Sequence, residues 1–407
     1  MGMGKKWNII CVEVFLLAVM FSQTDLMASS IGEIITTIAD RLEADQIKSD
    51  VSVGTWPEEA DFTGSIIAGI ATAYELTCES TYRACAELGG NAIVYTAQGN
   101  FTPDEALGLA RLSNVASDPY DNVWRTEISN FYSNVKNDPN GTEGYLSFFA
   151  GNDPSYVVFY LAHYVVAAYY VDAVDKKIWR HGLISWLSRV DDSCYVPVMA
   201  LGAATWALAQ TGPLDETSID PSGEGAPYWT TRKLSDLPEL LSSHQVPDGQ
   251  QEAGSFYWLF EHGDAGSGEP VSGYTEDTIF ATLGLVAASQ ANPDLNADSA
   301  ILAARKVLLD GVSSKGIVWE RLSQEGAVYY SYASEMLQVL SKLVIPGDLN
   351  LDDWVDSIDY AIFANSERVS DCTTCPWCNG ADLDHSGKID FVDLVILADN
   401  WLQIMSY

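Results

Sequence analysis

Twice near the C-terminal end of this 407-residue chain, oxygen-bearing side chains fall at the spacing a calcium ion needs. In one twelve-residue stretch, Asp348, Asn350, Asp352, Asp356 and Asp359 stand at positions 1, 3, 5, 9 and 12; in another, Asp382, Asp384, Ser386, Asp390 and Asp393 do. Calcium takes six to eight oxygens in flexible geometry, and alternate residues of a tight loop aim their side chains at one centre, with a backbone carbonyl from position 7. Trp354 and Lys388 hold that position here, so two calcium ions are expected. Position 6, the sharp turn, is Gly387 in the second loop but Asp353 in the first, and Asp enters the left-handed region less readily than Gly. Ser386 is in turn a weaker ligand than an Asp. Between Pro346 and Leu402, twelve acids face only Arg368 and Lys388, so folding of this segment should be coupled to metal binding.

Each loop runs into an apolar helix, Asp359-Tyr-Ala-Ile-Phe-Ala-Asn and Asp393-Leu-Val-Ile-Leu-Ala-Asp-Asn-Trp-Leu. A duplicated loop and helix without the usual preceding helix resembles a type I dockerin over Gly347 to Leu402. The resemblance implies a docking domain over residues 346–403 that meets a cohesin-like or cell-surface protein. In that family, positions 10 and 11 touch the partner, often as Ser or Thr pairs; here they are Ser357 and Ile358, then Phe391 and Val392. Between the loops, Cys372, Cys375 and Cys378 suit a disulfide using two of them better than a zinc site, for which a fourth ligand is lacking.

Upstream, acids and aromatics gather before a series of apolar segments: Trp56, Glu58, Glu59 and Asp61; Glu143, Tyr145 and Asp153; Asp191 and Asp192; Tyr257, Trp258, Glu261, His262, Asp264, Tyr274, Glu276 and Asp277; Trp319, Glu320, Tyr329 and Tyr330. Glycoside hydrolysis needs two carboxylates across the scissile bond and gains from aromatic platforms under the sugar rings. Acids in a first helical turn also serve the helix dipole and its free N–H groups, and Thr275-Glu276-Asp277 reads that way, with Thr275 as cap. Ser255 to Asp277 has the greatest non-helical polar density, which nominates Glu261, His262 and Asp264 as catalytic, with Glu58 beside them. Trp56, Tyr257, Trp258, Tyr274 and Trp319 are the candidate substrate platforms. His163, His181 and His244 fall on expected helices and read as packing or capping residues.

The elements that would position these groups alternate between two kinds. Segments starting near Thr63, Asp104, Pro154, Val196, Thr275 and Ala327 are small and apolar on nearly every face, as helices buried on most of their circumference are. Between them, Ile31 to Ile47, Ser80 to Tyr95, Val123 to Val135, Lys176 to Val190, Leu234 to Ser243 and Ala297 to Val312 are amphipathic. Six inner and six outer helices in alternation predict an all-α fold, an (α/α)6 toroid over residues 31–345 with its working cleft where loops enter the inner helices. The insert Gly212 to Lys233 should be a loop over one end of the barrel. Gln245-Val-Pro-Asp-Gly, Gly254-Ser-Phe and Tyr274-Thr-Glu-Asp-Thr resemble the repeat that precedes an inner helix in squalene cyclases. The segment thus resembles the toroid superfamily of terpenoid cyclases, prenyltransferases and several glycan-active enzymes. No Asp-x-Asp-Asp acid motif is present, which speaks against isoprenoid cyclisation.

Residues 1–28 carry Lys5 and Lys6, an apolar run from Trp7 to Phe21 and small residues around Ala28, the order of a secretory signal peptide cut near Ala28. The expected mature protein is secreted or at the cell surface, without a stable membrane span. A formal charge of −35 repels nucleic acid and polyanionic substrates, leaving a neutral polysaccharide or a cation as the easier ligand. With export, Cys78 and Cys85, which straddle a turn, could pair, and Cys194 would be buried. The leading expectation is a carbohydrate-active protein, a possible glycoside hydrolase cleaving a neutral polysaccharide; the other is a non-catalytic glycan- or protein-binding scaffold.

Overall fold

A computed structural model describes residues 29–116, 122–261, 271–295, 297–366, 380–384 and 386–403. The expected signal peptide, His262, Asp264 and the Cys372, Cys375 and Cys378 cluster lie outside the described residues.

The inner helices are α2 (Thr63–Thr77), α4 (Pro103–Val115), α7 (Pro154–Tyr170), α9 (Pro197–Thr211), α11 (Thr275–Ala291) and α13 (Tyr330–Lys342). Each packs on the next in that order, and α13 packs back on α2, so the ring closes. The outer helices are α1 (Ile31–Asp45), α3 (Ser80–Ala97), α5 (Val123–Asn137), α8 (Lys176–Leu187), α10 (Leu237–Ser243) and α12 (Asp298–Asp310). Each leans on the inner helices beside it. The chain is therefore an (α/α)6 toroid, helical among the described residues apart from one hairpin. A short α6 (Gly141–Ser147) lies between α5 and α7. The hairpin pairs β1 (Trp319–Arg321) with β2 (Gln324–Val328) and delays the sixth inner helix from the expected Ala327 to Tyr330.

Small residues let the inner helices approach closely. A Cβ at Gly108 of α4 would overlap the Gly64 carbonyl oxygen of α2, and one at Gly202 of α9 would lie 2.6 Å from the Ala281 nitrogen of α11. The core runs unbroken through all twelve helices. Residues 212–233 pack against the segment that follows α8, where Trp229 Nε1 donates to the Val190 carbonyl at 2.7 Å and the Ala226 amide to Ser188 at 2.8 Å.

The expected Cys78–Cys85 pairing is corrected. Cys78 is disulfide-bonded but Cys85 is a free, buried thiol, pushed up to about 12 chiefly by burial. Cys78 ends α2 in a left-handed turn, whereas Cys85 belongs to the inward face of α3. Cys194 is also free and buried.

Beyond α13 the chain forms α14 (Ser357–Ser366) and α15 (Phe391–Asp399), with a separate small apolar cluster of Ile345, Val355, Phe363, Ala381 and Leu397. Among the described residues, no helix is long and apolar enough to cross a membrane.

Candidate active cleft and candidate calcium loops

The N-terminal ends of the inner helices open into a cavity of about 610 Å³ lined by α4, α7, α9, α11 and α13 and by Phe62, the residue that precedes α2. A side chamber of about 240 Å³ shares Tyr156, Met199, Glu276 and Tyr332 with it. Capping decides which acids are free to work there. At α4, Thr102 and Glu105 form a reciprocal capping box after which Pro103 opens the helix, so Asp104 is released from capping and faces the cavity. At α13 the carboxylate of Glu59 accepts from the amides of Tyr330 (2.5 Å) and Ser331 (2.9 Å), capping a helix distant in sequence. Asp153 caps α7 through Ser155 and also holds the Tyr195 amide. Thr275 is not the cap of α11: Tyr274 takes that place, and the Thr275 hydroxyl donates to the Trp319 carbonyl at 2.6 Å.

Three acids remain around the cavity centre and two more in its side chamber. Asp104, on α4, stands opposite Glu276, on α11, in the ring; Glu335 rises from α13; Asp277 and Glu320 line the side chamber. Among the described residues, neither cavity has a Lys, Arg or His in its lining. Burial drives the Glu276 carboxyl up to about 7, reinforced by the charges of Asp104 and Glu320 and opposed by a hydrogen bond from Tyr332. Burial also holds Glu335 well above the usual carboxylate range, with Glu276 and Asp104 adding to the effect, and Asp277 likewise, with Glu276 adding. Glu335 Oε2 and Asp277 Oδ1 are buried oxygens with no hydrogen-bond partner, the condition of groups that meet a ligand or hold a proton. Asp104 has a partner behind it, His163 of α7, which is buried among Phe159, Trp206 and Phe280.

Aromatic rings form the rim. Tyr160 and Tyr156 stack at 6.3 Å, Tyr156 and Tyr195 at 5.5 Å, and Trp258 meets Tyr195 edge-on at 5.8 Å and Tyr274 at 5.8 Å. Trp258 is pinned by Nε1 donating to the Tyr195 carbonyl at 2.5 Å.

Several candidates from the sequence stand elsewhere. Trp56 is fully buried, with Nε1 donating to the Leu42 carbonyl at 2.8 Å, so it is a core residue and no platform. Glu58 is exposed at a left-handed turn (φ 65°), and Glu261 is exposed with its amide held by Asp192 at 3.0 Å; neither lines the cavity. Tyr257 donates its hydroxyl to Gln250, and Trp319 lends its carbonyl to Thr275; neither ring lines the cleft. Trp258 and Tyr274 do line it. Sequence reasoning passed over Asp104 and Glu335 and weighed Glu276 and Asp277 as capping groups. The capping box beside Asp104 and the lone Glu within the apolar α13 were the available signals.

The two C-terminal loops share one frame of hydrogen bonds to positions 1 and 12. At position 1, Asp348 accepts from the amides of Asp352 and Asp353, and Asp382 from Ser386 and Gly387. At position 12, Asp359 accepts from Asn350 and Asp356, and Asp393 from Asp384 and Asp390. All four of these carboxylates are buried. In the second loop, carboxylate oxygens of Asp382, Asp384 and Asp393 lie within 4.8 Å of one another, a donor set that fits a hard cation such as calcium.

No protein-family model matches the chain, and no curated protein does. One solved structure is similar: an inactive variant of an alpha-1,6-mannanase, GH76A of Salegentibacter sp. HEL1_6, in complex with alpha-1,6-mannotriose. It shares 14% identity with a TM-score of 0.48, over 77% of this chain and 98% of that one. The toroid itself is established by the closed ring of helix contacts.

Proposed function

We propose that the chain is a glycoside hydrolase that cleaves a neutral polysaccharide in the cleft at the mouth of the toroid. The observation that carries this reading is the pair Glu276 and Asp104 on opposite sides of the ring, with Glu276 raised to about 7. A carboxyl held protonated near neutrality can give its proton to a glycosidic oxygen, while a second carboxylate across the cleft activates water or attacks the anomeric carbon. Glu276 takes the first role and Asp104 the second. The Tyr156, Tyr195 and Trp258 rings provide apolar faces for sugar rings, and the acid-only lining repels anionic glycans.

The C-terminal segment is the docking module of this enzyme, holding two calcium ions and meeting a cohesin-like or cell-surface protein. Asp348, Asn350, Asp352, Asp356 and Asp359, with the Trp354 carbonyl, would hold the first ion. Asp382, Asp384, Ser386, Asp390 and Asp393, with the Lys388 carbonyl, would hold the second. Calcium would neutralise the buried carboxylates and fix the loops. Ile358, Phe391 and Val392 are exposed at the partner positions, so the partner would meet apolar side chains. The signal peptide fits export with this role.

Release of reducing ends from a panel of neutral glycans tests the main reading. Turnover by the full chain, lowered by about 10²- to 10⁴-fold in Glu276→Gln and Asp104→Asn, is expected. Glycan binding without turnover would favour the scaffold reading instead.

A further inference from the structure

Position 6 of the first calcium loop is Asp353 where the second loop has Gly387. Asp353 holds a left-handed backbone, φ 71°, a conformation Gly adopts at lower cost. Its side chain explains why it is there. One carboxylate oxygen pairs with the guanidinium of Arg305 on α12, and the other accepts the amide of Ile31, the first residue of α1, at 3.2 Å. Both Asp353 and Arg305 are buried, at 5% and 2% exposure. The Asp353 amide meanwhile donates to Asp348, the position 1 ligand, at 2.9 Å. One residue thus joins a calcium ligand to two outer helices of the toroid.

A second fastening lies beside it. The Gly32 amide of α1 donates to the Leu351 carbonyl at 3.2 Å, and a Cβ at Gly32 would sit 2.5 Å from the Leu351 Cβ. At the corresponding place in the second loop, among the described residues, a Cβ built at Gly387 meets no atom within 4 Å. A small cavity between Thr72, Glu75, Lys342 and Gly347 to Leu349 sets the first loop beneath the C-terminal ends of α2 and α13, the end of the barrel opposite the cleft.

We propose that the first calcium site is a structural site of the toroid as well as of the docking module. Calcium there closes the loop that holds Arg305 and the start of α1, stabilises the whole chain, and seats the module rigidly on the barrel end away from the cleft. The second site serves the module alone. This rests on the calcium reading above and is independent of the hydrolase reading. Its physical basis is linkage: an ion that binds only the closed loop raises the stability of every element that needs the loop closed. Removing one partner of a buried ion pair leaves the other charge stranded.

The experiment uses the full chain in calcium and in EGTA. Calorimetry counts the ions bound, and thermal unfolding is followed by tryptophan fluorescence, since Trp179, Trp206 and Trp229 are buried in the toroid. Calcium should raise the toroid transition by on the order of 5 °C. Asp348→Ala should lower it to the calcium-free value, and Asp382→Ala should not. The double variant Arg305→Met with Asp353→Gly removes the buried charges together and restores the turn residue. It should still bind two ions, with a toroid transition that follows calcium by less than half as much, the Gly32–Leu351 contact being left. Two ions bound to the natural chain with an unmoved toroid transition would overturn the proposal while leaving the calcium reading intact. No ions bound would overturn both.

Discussion

His163 Nδ1 lies 2.8 Å from Asp104 Oδ1, and the imidazole is boxed by Phe159, Phe280 and Trp206. The histidine therefore cannot swing away, and the carboxylate it holds faces the cleft from the first turn of α4. If Asp104 is the group that activates water, His163 fixes its orientation without touching the substrate. His163→Gln, which keeps a polar group near the carboxylate, is expected to lower kcat by roughly tenfold with KM little changed. Asp104→Asn should lower it by about 10²- to 10⁴-fold, the range for losing an acid or base. Equal losses in kcat and in thermal stability would assign His163 to packing alone.

In the role proposed for it, Glu276 carries the pH dependence: a general acid must be protonated, so kcat should fall as pH rises through about 7. Glu276→Gln should lower turnover by about 10²- to 10⁴-fold and remove that limb from the residual activity. The same shift fixes the sign for stability. The folded state holds this proton more tightly than the unfolded chain, so its contribution is complete below the usual glutamate range and is lost as pH rises through about 7. Glu276→Gln should therefore be more stable than the natural protein at neutral pH, by roughly 1–3 kcal/mol. Equal melting temperatures for the two at pH 8 would contradict the burial argument.

The toroid was legible in the sequence because its inner helices are small and apolar on all faces and its outer helices on one, a difference that survives without coordinates. The cleft was less so. First-turn acids look alike whether they cap their own helix, cap another or face a ligand. Glu59 caps α13, Asp153 caps α7, and Glu276 does neither, and only the packing separates them. Glu335 carries no local sign beyond being charged in an apolar helix. Around Glu261 the polar stretch pointed elsewhere: Glu261 itself is exposed, and its amide, like that of Phe260, is tied down by Asp192. In the tail, ligand spacing was readable, but the partner of Asp353 lies 48 residues away on α12 and left no trace in the motif.

Trp258 should act on binding more than on chemistry. It walls the side chamber without being acidic, and it is held by its indole N–H and by main-chain bonds to Val271 and Val198. Trp258→Ala is expected to raise KM by about tenfold, the effect of losing an aromatic face worth about 1 kcal/mol beyond its area. The kcat should change less than threefold. A larger fall in kcat than rise in KM would move Trp258 from platform to transition-state contact.

Two neighbouring glutamates offer the sharpest contrast. Glu58, singled out from sequence, is exposed with φ 65°, whereas Glu59 is buried and accepts two amides at the start of α13. Glu59→Ala leaves those amides without their charged acceptor and should destabilise the fold by roughly 2–4 kcal/mol, each bond to a charged group being worth about 1.5–3. It should also loosen α13, which carries Glu335 and Tyr332 into the cleft, so turnover falls with stability. Glu58→Gly removes an exposed side chain from a left-handed turn and relieves a strain of about 1 kcal/mol. Its melting temperature should equal or exceed that of the natural protein, with activity unchanged. If Glu58→Gly instead loses turnover while remaining folded, the cleft as drawn around Glu276 and Asp104 is not where the bond is broken.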